Sequence, residues 1–167
     1  MEQIENLANA EAKVLRDMQD IVTQLRTLSA RDVEGVRDGI ERLRTIRSSI
    51  YEDLNQIQHE YLLLRGVGWL LEHGFGSNVE WEWNPRQTGS ANEPDLRGSI
   101  NGKILVSAEA STSENPVGSI DSGMKKTLQK LSQMEGQKFY FVGTGEMVQR
   151  AETKIRKASW SIRVVRT

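Results

Sequence analysis

Apolar side chains recur at alternating steps of three and four along the first part of the chain: Leu7, Val14, Met18, Ile21, Leu25 and Leu28, with polar Glu11 filling one slot. A second series runs Val33, Val36, Ile40, Leu43, Ile50, Leu54 and Ile57, interrupted by Arg47. That 3.5-residue period draws one narrow stripe along each helix, as a coiled coil requires. The step of five from Leu28 to Val33 breaks the phase, and Ser29 with Asp32 three residues later offers a new helix start. A helical hairpin turning near residues 28–31 is therefore expected, with one phase-shifted continuous helix as the alternative. The second series continues through Tyr61, Leu64 and Leu71 until Gly74 and Gly76 end it. Gly35, Gly39, Gly66 and Gly68 weaken these helices by roughly 0.5–1 kcal/mol each, so packing must compensate. A stripe this long needs a partner surface, and a homodimer is the expected solution.

The period then changes from three and four to two. Val79, Trp81 and Trp83 alternate with Glu80 and Glu82, the mark of a half-buried strand. Two further strands, over 95–100 and 103–111, flank Asn101-Gly102, a strong hairpin pair. A helix over about 120–134, a strand over 138–142, a helix over about 146–158 and a strand over 161–165 follow. The pattern predicts an α/β fold: a mixed sheet flanked by helices, preceded by an N-terminal coiled-coil-like hairpin. Residues 1–58 read as the helical arm and 59–167 as the α/β domain.

Charge sharpens this division. Residues 1–75 hold nine Lys or Arg and thirteen Asp or Glu, a net of −4; residues 125–167 hold ten and three, a net of +7. The basic end would attract polyanions although the whole chain carries only −1. With no cysteine, disulfides and thiolate metal sites are excluded. No apolar run reaches membrane-spanning length and the acidic N-terminus has no signal core, so a cytoplasmic, membrane-free protein is expected.

The candidate chemistry lies at the hairpin. Asp95 and Glu109 fall beside each other at the end remote from Asn101-Gly102, and two carboxylates at that spacing suit a hard divalent cation such as Mg²⁺. Two-residue-loop pairing matches positions summing to 203, which sets Asp95 opposite Ala108 and Pro94 opposite Glu109. The carboxylates then start on opposite faces and converge only if a bulge or strand end re-aims one. Pro94-Asp95, a hairpin, and then Glu109-Ala110-Ser111 before helix, strand, helix and strand resemble the PD-(D/E)XK nuclease superfamily, the restriction-endonuclease-like fold, over about residues 60–167.

The resemblance implies divalent-metal-dependent hydrolysis of DNA phosphodiester bonds, as by a type II restriction endonuclease. Asp95 and Glu109 would hold one or two Mg²⁺ (Mn²⁺ as substitute), with a further acid from the preceding helix at Glu60 or Glu72. The family's lysine is absent, since Ser111 stands in its place and offers a hydrogen bond without charge. Lys125 or Lys126 on the next helix would supply the cation. The stripe Arg150, Lys154 and Lys157, with Lys130, would contact phosphates of double-stranded DNA. A homodimer would set two active sites across the duplex. The alternatives are an inactive nuclease-fold DNA-binding protein and a non-enzymatic coiled-coil interaction module.

Other signals are weaker. Gly143-Thr144-Gly145 lacks the third glycine of a dinucleotide loop. His59 and His73 have no ligand cluster around them in sequence. Ser107, Ser111 and Ser113 have no adjacent histidine, so a serine hydrolase arrangement is unsupported. The four tryptophans read as core.

Overall fold

The structure, a computed structural model, describes residues 1–30, 32–76, 78–85 and 92–167. Among these, four helices and six strands form an α/β fold: β1 (Glu2–Ile4), α1 (Leu7–Ser29), α2 (Val36–Glu72), β2 (Glu80–Trp83), β3 (Leu96–Ile100), β4 (Lys103–Ser111), α3 (Gly118–Ser132), β5 (Gln137–Val142), α4 (Gly145–Ala158) and β6 (Arg163–Arg166). The strands lie in one mixed sheet in chain order. Neighbours from β1 to β4 are antiparallel, and β4–β5 and β5–β6 are parallel. The parallel pairs are the ones joined through α3 and α4, because a parallel return needs a crossover.

The hairpin expected near 28–31 is present, and its second helix is the longer. α1 starts at Asn6, whose side chain accepts from Ala8 N at 2.8 Å. Ser29 ends α1, bonding Arg26 O at 3.2 Å, rather than capping α2; α2 starts from Gly35. It then runs 37 residues without interruption, about 55 Å at 1.5 Å per residue. The expected division between residues 58 and 59 therefore falls inside one helix.

Each face of the sheet carries its own helical layer. Leu63, Leu64, Val67 and Leu70 of α2 pack with Trp81, Trp83, Leu96, Val106, Ala108, Phe139 and Phe141. Ala10, Val14 and Ile21 of α1 belong to the same core, as does Ile4 of β1. The arm is thus rooted in the domain, and its first residues form an edge strand that the acidic, unpatterned N-terminus did not announce. The alternation of β5 sends Tyr140 and Val142 to the opposite face, where Met124, Leu128 and Leu131 of α3 meet Met147, Ala151 and Ile155 of α4.

Two glycines let these layers close. A Cβ on Gly66 would lie 2.6 Å from the Phe141 ring, so α2 sits on β5 only because residue 66 has no side chain. A Cβ on Gly98 would lie 2.6 Å from the Trp81 ring. The last strand begins at Arg163, two residues later than the pattern suggests. Ser159 is left-handed (φ 54) and Trp160 N bonds back to Ile155 O at 3.1 Å, so the chain is still leaving α4. No described helix is long and apolar enough to cross a membrane.

Candidate functional site

The hairpin register decides whether the two acids can meet. Ile100 pairs with Lys103 and Ser99 with Ile104, following the sum of 203. Between Gly98 and Ser99 the register shifts, and Gly98 pairs with Val106, Arg97 with Ser107 and Leu96 with Ala108. This bulge advances the pairing by one residue, so the position before Leu96 falls opposite Glu109 instead of Ala108. Asp95 occupies it. A one-residue slip exchanges the faces of a strand, and the two carboxylates that simple pairing would separate now lie together.

Asp95 is fixed from several directions. Its carbonyl oxygen accepts from Asn84 N at 2.9 Å. Its Oδ2 accepts from Ala110 N at 2.9 Å and lies 3.1 Å from His59 Nε2. Glu109 is only 5% exposed. Burial, reinforced by the neighbouring Asp95 charge, pushes its carboxyl up to about 8, against the opposing pull of the Lys130 ammonium; a hydrogen bond with Asp95 adds to the rise. Two carboxylates buried side by side disfavour ionisation of Glu109, and the Lys130 ammonium offsets part of that cost.

Lys130 Nζ stands 2.5 Å from Glu109 Oε1 and donates to Glu93 O at 3.1 Å. It lies in the last turn of α3, one to two turns beyond Lys125 and Lys126. Side chains on a helix lean toward its N-terminus, which carries a long lysine from the helix end back toward Glu109. Lys126 is exposed. Lys125 lines a surface groove of about 320 Å³ with Arg150, Thr153, Lys154, Lys157 and Trp160. The cation at Glu109 is therefore Lys130 and not Lys125 or Lys126, and Lys130 turns to the carboxylate rather than to the expected phosphate contact.

The other expected residues separate from this cluster. Glu60 is buried, with Oε2 accepting from Lys13 Nζ at 2.8 Å and Oε1 from Gln56 at 3.4 Å. Burial opposes the Lys13 charge, but hydrogen bonds to Asp17 and Glu60 outweigh it and raise its pKa. Glu60 thus serves the α1–α2 contact, and its neighbour His59 is the α2 side chain that reaches Asp95. Glu72 closes α2 at its exposed end. Ser111 borders a cleft of about 270 Å³ lined also by Glu52, Asn55, Gln56, His59, Ala110 and Thr112. Its side chain hydrogen-bonds Tyr140, whose phenol burial pushes up to about 12.

On the α3–α4 surface, Arg150 Nε and Nη2 reach Asp121 at 2.6 and 3.0 Å, and Lys154 joins it at 2.9 Å. These bonds hold the Asp121 carboxyl well below the usual range. Thr144 caps α4, accepting from Met147 N at 3.3 Å and donating to Glu114 O at 2.8 Å, so the Gly-Thr-Gly run turns the chain there.

The donor set at Asp95 and Glu109 is two carboxylates, hard oxygen donors, with Lys130 beside Glu109. Among the described residues no group of three or more His, Cys, Asp or Glu is arranged to hold a metal ion. Mg²⁺ is often held by one or two carboxylates, with waters and substrate phosphates completing its shell, and the pair fits that mode. Compared with protein families, with curated proteins and with solved structures, the chain matches none.

Proposed function

We propose that this protein hydrolyses phosphodiester bonds of double-stranded DNA with a divalent metal ion held by Asp95 and Glu109. The observation that carries the reading is the bulge at Gly98/Ser99, which brings the two acids together beside Lys130. A Mg²⁺ or Mn²⁺ ion at this pair would supply Lewis acidity to the scissile phosphate and the attacking water. Lys130 takes the role of the lysine absent at Ser111: its charge counters the negative charge that grows on the phosphate. Ala110 N and His59 hold the Asp95 carboxylate in place before substrate arrives. The groove of Lys125, Arg150, Lys154 and Lys157 offers positive charge to the DNA backbone, a contact that weakens with salt.

The reading includes a homodimer built through the arm. Leu15, Met18 and Val22 of α1 and Ile40, Leu43, Tyr51 and Leu54 of α2 are large apolar side chains, each more than 40% exposed. Apart from the step of eight from Leu43 to Tyr51, where Arg47 interrupts, they keep the three-and-four spacing that a helical bundle buries.

Plasmid cleavage tests the proposal. Duplex DNA cut with Mg²⁺ by the native chain, and left intact by both Asp95→Asn and Glu109→Gln, would support it. DNA left whole with either Mg²⁺ or Mn²⁺ would contradict it. Lys130 already neutralises Glu109 without any metal, which favours a non-cleaving DNA-binding module as the second reading; salt-sensitive binding without cutting would select it.

A further inference from the structure

We infer that His59 is the positioning residue of the candidate metal site, holding Asp95 by one oxygen so that the other faces Glu109 and the cation. The inference rests on the metal-site reading above. Three observations carry it. First, the bonds from His59 Nε2 at 3.1 Å and from Ala110 N at 2.9 Å to the Asp95 side chain both fall on Oδ2. Oδ1 is left for Glu109 and the cation.

Second, His59 is 6% exposed, and its Nδ1 is buried with no hydrogen-bond partner among the described residues. An orphaned buried polar atom costs about 1–3 kcal/mol, so the ring is kept at a cost on its Nδ1 side while Nε2 serves Asp95. With Asp95 Oδ2 as acceptor, Nε2 carries the hydrogen, and among the described residues Asp95 is the hydrogen-bond partner of the ring.

Third, His59 both bonds Asp95 and faces a cleft. It lines the cleft of about 270 Å³ with Asn55, Gln56, Ser111 and Thr112. The ring therefore borders an open cleft while bonding Asp95, rather than filling a closed core. Groups that orient metal-binding side chains in this way typically change metal affinity 10–100-fold when removed.

The test is Mn²⁺ binding to the full chain, followed by electron paramagnetic resonance, with metal-free melting curves recorded on the same samples. The variants are His59→Ala, His59→Gln and Asp95→Asn. The expected result is binding by the native chain, none by Asp95→Asn, and about 10–100-fold weaker binding by His59→Ala. His59→Gln, whose amide can donate to Asp95, should recover most of the lost affinity. That recovery separates positioning from packing, because His59→Ala and His59→Gln both remove the ring. Native affinity in His59→Ala, with binding lost in Asp95→Asn, would overturn the role of His59 alone. No binding by the native chain would overturn the metal-site reading and this inference with it. A folded His59→Gln that binds no better than His59→Ala would also overturn it.

Discussion

The two halves of α2 obey the same spacing rule and end in opposite environments. Toward the tip of the hairpin, Val36, Leu43 and Tyr51 are 82%, 67% and 57% exposed. From Ile57 onward the helix lies on the sheet, and Leu63, Val67 and Leu70 are buried to within 1%. One continuous helix thus has an anchored half that completes a core and a projecting half whose stripe awaits a surface. The difference shows that periodicity in a sequence reports which face is to be buried, whereas the identity of the covering surface comes from the tertiary fold. It also separates surroundings: His59 of the anchored half reaches Asp95 at the sheet, whereas the apolar side chains of the projecting half lie exposed.

Substitutions of one type in the two halves test this contrast most forcefully. Leu63→Ala should lower stability by about 2–5 kcal/mol, as for other buried leucines. Leu43→Ala should change the monomer by about 0.5 kcal/mol or less, as for exposed positions. Denaturant titration at low protein concentration measures both. Equal losses would erase the distinction between the halves.

A smaller effect sharpens the chemical side. The Glu109 carboxyl is raised from its ordinary value to about 8, so the fold favours its protonated form. That stabilisation is fully present below about pH 4.5 and is lost as pH rises through about 8. Without divalent metal, Glu109→Gln, which mimics the protonated carboxyl, should match the native chain near pH 4 and melt several degrees higher near pH 9. Parallel melting curves across that range with no growing gap would remove the buried carboxylate pair from the account. The same comparison with Mg²⁺ should show a narrower gap, since the ion takes the place of the proton.

The least effect on chain stability is expected at the arm. Leu43→Glu together with Leu54→Glu should leave the low-concentration melting temperature within about a degree or two, in line with small surface effects. The pair should convert a dimer to a monomer in sedimentation. A native chain that sediments as a monomer at every concentration would leave the projecting stripe without the proposed partner.

Much of this was readable from residue order. The hairpin, the strand at 79–83 and the turn at Asn101-Gly102 each follow from a period or a turn pair that local chemistry dictates. The edge strand Glu2–Ile4 was not, because three residues carry no period and their pairing with β2 is a tertiary choice. At the site, Asp95 and Glu109 stood out as acids at a hairpin end, but the bulge that unites them was invisible: Gly98 permits it without announcing it. His59 was set aside for lack of neighbours in sequence, since its partner Asp95 lies 36 residues away. Lys130 reads as a phosphate contact from sequence because spacing alone does not reveal how far a lysine side chain leans back along its helix. Its apolar neighbours Leu128 and Leu131, which are fully buried, were the available signal that this turn lies close to the sheet.

The central claim is that the shifted register of β3 and β4 makes Asp95 and Glu109 one cation site. A crystal grown with Mn²⁺, with the ion located by its anomalous scattering, tests it most directly. The account predicts a Mn²⁺ peak bridging the two carboxylates, with His59 still on Asp95 Oδ2. A fully loaded crystal with no peak between Asp95 and Glu109 would contradict it.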